Sequence, residues 1–217
     1  MMRIVVGCEF SQIVTRAFRD RGHEAYSCDV LPTEGNPKWH FQEDILGLLR
    51  REKFDLGIFH PPCTYLSSVG NRHWNNPGRD QLRLEAFDFF MCLWNTPLPR
   101  ICIENPVGYM NKAFRKPDQI VHPYFFGDLF TKRTCLWLKG LPKLKYDFSI
   151  IPKPEPLYIC QGKKCKGKKI YFTEGLKGCR DKDRWKFRSR TALGIARAMA
   201  EQWQPAMVGK SDGANRR

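Results

Sequence analysis

At 217 residues, with 42% hydrophobic and 27% charged residues, the chain is long enough for one well-filled core and short for two. Its formal net charge of +15 points to a polyanionic partner, nucleic acid ahead of anionic membrane, because a basic surface gains by releasing condensed counterions. No stretch is apolar enough to span a bilayer, no leader-like segment precedes Arg3, and nine cysteines make an odd count, so a membrane protein and a disulfide framework are set aside and a reducing, cytoplasmic setting is expected.

Residues 3–8 (RIVVGC) are short and β-branched, a buried first strand. Ile13, Ala17 and Phe18 recur at helical spacing, which predicts a helix over 12–21 with Gly22 as its left-handed stop. Residues 24–29 (EAYSCD) read as a second strand closing on an acid, and 31–38 as a loop punctuated by proline and glycine. Asp44 is placed to cap a helix running to about residue 52. Residues 56–59 form the next buried strand and 100–103 another. Between them, 79–94 is a long amphipathic helix with Leu82, Leu84, Ala86, Phe87, Phe90 and Met91 broadly on one side. This alternation predicts an α/β fold with a doubly wound, mostly parallel sheet covered on both faces. Beyond Pro106 the pattern loosens. Residues 124–130 and 134–138 are expected as short strands forming an antiparallel pair near the C-terminal end of the sheet, 142–156 as a proline-rich linker, and 191–203 as a last helix with Ile195, Met199 and Trp203 on one side.

The excess charge is concentrated. Residues 160–190 hold 12 Lys or Arg against 3 acids, interleaved with Tyr171, Phe172, Trp185 and Phe187, a mixture suited to phosphate contact and base stacking; a solvated lysine-rich loop is the plainer alternative. Cys160, Cys165 and Cys179 lie here too, but their spacing suits zinc poorly and no histidine is near, so no metal is expected.

Two islands carry the chemistry. His60-Pro61-Pro62-Cys63 and Ile103-Glu104-Asn105-Pro106 each close an apolar strand, so a thiol and a carboxylate arrive at strand ends, where open α/β sheets bind ligands. The prolines stiffen the backbone ahead of Cys63, and a thiolate held there is a nucleophile if a cation or helix N-terminus favours it. Glu104 would hydrogen-bond or protonate the group under attack. Taken singly, Cys63 reads as an inert buried thiol and Glu104 as a cap or salt-bridge partner.

Taken together with Phe10-Ser11-Gln12-Ile13, Asp29, Glu43-Asp44-Ile45 and the continuation Thr64-Tyr65-Leu66-Ser67-Ser68-Val69-Gly70, the islands resemble, in order and spacing over roughly the first 110 residues, the DNA cytosine-5 methyltransferase family in its compact, phage-type form. The resemblance implies an S-adenosylmethionine-dependent enzyme whose Cys63 attacks C6 of a cytosine lifted from the stack while Glu104 binds N3 and the exocyclic amine. It implies cofactor contacts from Phe10, Ser11, Gln12, Asp29, Asp44 and Pro61, and base or DNA contacts from Pro62 and Asn105. Lys132-Arg133-Thr134 stands near the family's arginine element, which makes Arg133 the third catalytic candidate; an ordinary phosphate-contacting arginine is the alternative. Arg188 and Arg190 form a second pair ahead of the last helix, and Arg72 and Trp74 are placed to fill the gap left by a flipped base.

Three features depart from the family pattern. Gln12 replaces a glycine expected after Phe-Ser and crowds the place where backbone should approach the cofactor carboxylate, so an altered donor, for instance a carboxylated S-adenosylmethionine, is the alternative. The chain has no large recognition domain, so short or relaxed DNA recognition is expected. His60 precedes the prolines where amino-methyltransferases carry an acid, Asn or Ser, and the cysteine that follows argues against that chemistry. The expected organisation is a catalytic and cofactor-binding core at 1–141, a basic DNA-contacting insertion at 142–190, a helix over 191–207 returning to the core and a disordered tail at 208–217. The alternatives are a pyrimidine-modifying relative acting on RNA or free nucleotide, and a catalytically idle DNA-binding protein.

Overall fold

In a computed structural model, residues 1–73, 75–147, 154–156, 158–159, 161, 166–167, 169–170, 186 and 189–204 are described. The chain alternates β1 (Arg3–Gly7), α1 (Ile13–Arg19), β2 (Glu24–Cys28), β3 (His40–Phe41), α2 (Ile45–Arg51), β4 (Leu56–Phe59), α3 (Arg79–Trp94) and β5 (Ile101–Pro106). It continues through a single turn, α4 (Met110–Ala113), to β6 (Gln119–Val121), β7 (Thr134–Lys139) and α5 (Leu193–Gln202). A two-stranded ribbon, β8 (Tyr158–Ile159) with β9 (Lys169–Ile170), stands apart.

Seven strands form one sheet in the order β3-β2-β1-β4-β5-β7-β6, parallel up to β5 and antiparallel at β7 and β6. The order reverses between β1 and β4, which makes the carboxyl ends of these strands the place for a ligand crevice. Side chains alternate across the sheet. Ile4, Val6, Leu56 and Ile58 pack under α1 and α5, whereas Val5, Phe59, Ile101 and Ile103 pack under α2 and α3. Trp137, fully buried on the second face, meets Phe90 edge-on at 5.3 Å. No helix among the described residues is long and apolar enough to cross a membrane.

Local chemistry sets the ends of the elements. Asp44 caps α2 by accepting from Gly47 N–H at 2.8 Å, and Gly22 beyond α1 takes φ 77°, a left-handed turn that suits glycine. Three expectations are corrected. Residues 124–130 form no strand: Pro123 opens a 3₁₀ turn over Pro123–Phe126, and the strand beside β7 is Gln119–Val121. On α3 the buried positions are Arg83, Phe90 and Leu93, while Leu82 and Leu84 face outward. The described start of the proline-rich stretch, residues 142–147, is stitched to the core rather than laid across it. Gln119 exchanges two hydrogen bonds with the Leu144 backbone, and Leu144 itself is buried.

Candidate active site

β4 ends at Phe59, and the His60 N–H still donates to Gly7 O at 3.0 Å, so the first island starts as a continuation of the sheet. Glu104 and Asn105 lie within β5. The two islands are fastened side by side. Asn105 Nδ2 donates to Pro61 O at 2.8 Å, and His60 Nδ1 lies 2.9 Å from Glu104 Oε2. Further out, Ser68 N–H donates to Val107 O and Tyr109 N–H to Leu66 O, with Ser67 and Gly108 forming a short antiparallel bridge. The loop that follows the thiol is thereby held along the loop that follows the carboxylate.

Cys63 is exposed, three residues beyond His60, and its carbonyl accepts from Leu66 N–H and Ser67 N–H in a tight turn. Pro61 is buried and Pro62 exposed. From the other side, α3 grips this turn: Arg83 Nε donates to Tyr65 O at 3.2 Å with its guanidinium over the Tyr109 ring, and Arg79 donates to Thr64 O while lying over Tyr65. Burial pushes the Arg83 guanidinium down.

His60 and Glu104 are both buried, each side chain 7% exposed. Burial pushes the Glu104 carboxyl up, but the charge of Lys132 and the hydrogen bond to His60 outweigh it and hold the acid below the usual carboxylate range. The cation that acts on Glu104 is thus Lys132. Burial pushes the Cys135 thiol up, against the hydrogen bond from Asn111 and the charge of the neighbouring Arg133. Two polar atoms of the site, His60 Nε2 and Asn105 Oδ1, are buried and make no hydrogen bond among the described residues.

Toward β1 and β2 lies a second set. Asp29 follows β2, its carboxyl raised by burial, and accepts from Leu31 N–H at 3.0 Å. Phe10 is buried, and its carbonyl accepts from Thr33 Oγ1 and Glu34 N–H. Ser11 Oγ accepts from Ile13 N–H. Gln12 takes the left-handed region at φ 57°, and its amide is committed: Nε2 donates to Asn36 O and Ser27 Oγ, and Oε1 accepts from Asn36 N–H. Arg190 pairs with Glu34 at 2.6 Å, on the loop that covers this turn.

Sequence reasoning passed over Glu9. Its buried carboxylate accepts from Val14 N–H at 2.7 Å, from Thr15 N–H and from Thr15 Oγ1, capping α1 from outside the helix. No periodicity marks such a residue; its spacing of five from Val14 was the only signal. Lys132 was missed because its effect on Glu104 arises only when β7 pairs with β5. Trp74, Arg188, the Arg72 side chain and Cys160, Cys165 and Cys179 lie outside the described residues, as does most of the basic segment. A groove of about 520 Å³ between α2 and α3, lined by Leu46, Leu49, Met91 and Pro97, opens near the chain entering β5 and plays no part in this constellation.

Fold and site together define a doubly wound α/β protein with a thiol, an imidazole and a carboxylate at its strand ends. No protein-family model matches the chain, and no curated protein is similar to it at a significant level. Among solved structures it is similar to a protein assigned as a DNA modification methyltransferase encoded within an E. coli prophage, at 14% identity and a TM-score of 0.43, over 73% of this chain and 56% of that one. It is also similar to the 16S rRNA methylase RmtB, at 15% identity and a TM-score of 0.28, over 64% of this chain and 55% of that one. The chain spans a little over half the length of each.

Proposed function

We propose that the chain is an S-adenosylmethionine-dependent methyltransferase that modifies C5 of cytosine in DNA through a covalent adduct on Cys63. The observation that carries this reading is the fastening of the two islands, which holds the loop bearing Cys63 alongside Glu104 at the ends of β4 and β5, next to the sheet's topological switch. Asp29 and Asp44, each with one carboxylate oxygen engaged by a backbone N–H, would hold that cofactor with the other, toward ribose hydroxyls and a positively charged donor. Bound there, it supplies an electrophilic methyl group.

The chain's own residues do the rest. The Cys63 thiolate adds to C6, and the C5=C6 electron pair moves into the ring, which makes C5 electron-rich. Glu104 meets N3 and the exocyclic amine, where the developing charge is relieved. Once C5 is substituted, its proton passes to water, the freed C–H pair restores the C5=C6 bond, and the thiolate leaves with the S–C6 pair. A base inside a duplex cannot present C6 to a thiol, so the cytosine must leave the stack.

The test is a random-sequence DNA pool carrying 5-fluorocytosine, incubated with the protein and S-adenosylmethionine. Wild type is expected to give a denaturation-resistant complex, Cys63→Ser none, and Glu104→Gln one formed about 10²-fold more slowly. Binding without an adduct would instead mark an idle DNA-binding protein. Nucleoside mass spectrometry of DNA from expressing cells identifies the transferred group.

A further inference from the structure

Protonating N3 requires an acid that carries a proton, and Glu104 is held in its ionised form by Lys132 and His60. As a lone carboxylate it accepts from the exocyclic amine and has nothing to give N3. A proton is nevertheless at hand. His60 Nδ1 lies 2.9 Å from Glu104 Oε2, and both side chains are shut away from bulk water. The His60 backbone is pinned by its N–H to Gly7 O, ahead of two prolines.

The second ring nitrogen strengthens the case. With Nδ1–H donating to Glu104, the neutral imidazole leaves Nε2 bare, and this atom is buried with no hydrogen-bond partner among the described residues. A buried polar atom left unpaired is destabilising, and such atoms in native proteins call for an explanation. With Nδ1–H turned to Glu104, Nε2 is the one ring position left open to a second proton.

We infer that His60 is the proton reserve behind Glu104: its imidazolium passes the Nδ1 proton to the Glu104 carboxylate, which hands that same proton on to N3, and His60 recovers it when the thiolate departs. The inference rests on the cytosine reading above. The step balances. The sulfur pair forms the S–C6 bond, the C5=C6 pair shifts into the ring, N3 gains one proton, and imidazolium becomes imidazole while Glu104 ends as it began, a carboxylate. His60 acts through Glu104 and is therefore a positioning residue. Around the pair, among the described residues, stand Lys132 ahead of β7, Asp29 after β2, the buried thiols of Cys102 on β5 and Cys135 on β7, and Cys63 on the same loop as His60.

The experiment follows the rate of adduct formation on 5-fluorocytosine DNA against pH. In wild type, thiolate formation raises the rate with pH and loss of the imidazolium lowers it, giving a bell. In His60→Asn the amide nitrogen stands near the place of Nδ1, so it can donate to Glu104, but it cannot carry the charge. The variant is expected to react about 10²-fold more slowly and to lose the alkaline fall altogether. A variant that keeps the wild-type rate, or is slower with the alkaline fall intact, overturns the inference and leaves the cytosine reading standing. No adduct on wild type overturns the cytosine reading and this inference with it. The wild-type profile also decides alone, since a rate that climbs with pH and never falls is incompatible with a proton reserve on His60.

Discussion

A Cβ at Gly108 would stand 2.0 Å from the Leu66 carbonyl oxygen and 2.9 Å from the Ser67 Cα, both backbone atoms that cannot swing aside. Gly108→Ala therefore has to part the two loops at the point where they meet. Overpacking of this kind costs about 1–3 kcal/mol, and with backbone on the other side the upper end is expected. The Cys63 loop would lose its bridge to the β5 loop, so adduct yield on 5-fluorocytosine DNA should fall further than the shift in denaturant midpoint accounts for. An unchanged adduct yield would show that the bridge does not position the thiol. In sequence this glycine is undistinguished, one small residue in Pro-Val-Gly-Tyr, whereas Cys63 and Glu104 could be found because their chemistry stands at the ends of readable strands. Close approach of two backbones leaves no pattern in either segment alone.

At the level of elements, α3 shows what hydrophobic counting can and cannot recover. Its limits, 79–94, were readable from the run of helix formers ended by Asn95 and two prolines, yet its inward face was not. A count of apolar residues places Leu82 and Leu84 inside and Arg83 outside, and the fold does the reverse, because Arg83 meets a carbonyl and an aromatic ring from the Cys63 loop. β6 escaped notice for a different reason: three residues beginning with glutamine carry no periodicity. If α3 steadies the loop through Arg83, then Arg83→Met, which keeps the apolar stem and removes the donor, should leave Tyr65 O unpaired. The expected result is a loss of about 1–2 kcal/mol of global stability, with amide exchange over residues 64–70 accelerated by more than that loss explains. Exchange that rises equally over the whole sheet would show that Arg83 supports the core and not the loop.

The molecule as a whole closes through its last helix. α5 returns across more than 170 residues of chain to lie against α1 and the back of the central strands, so α1, which starts at the Glu9–Gln12 turn, is fixed from behind by a distant segment. Trp203 ends that helix, 1% exposed, with its indole N–H donating to Pro142 O at 2.9 Å. Trp203→Ala removes the largest side chain at this junction and leaves the Pro142 carbonyl without that donor, an expected loss of about 3–5 kcal/mol. Because β1 carries Val5 on one face and Ile4 and Val6 on the other, a cavity on the α5 side weakens the same strand from which the Cys8–Gln12 turn springs. Unfolding followed by far-UV circular dichroism and loss of adduct formation should therefore shift together in urea, as one cooperative transition. If activity instead survives in a partly unfolded state while the helical signal falls, α5 is an appendage, and the strand-end site depends only on the elements up to β7.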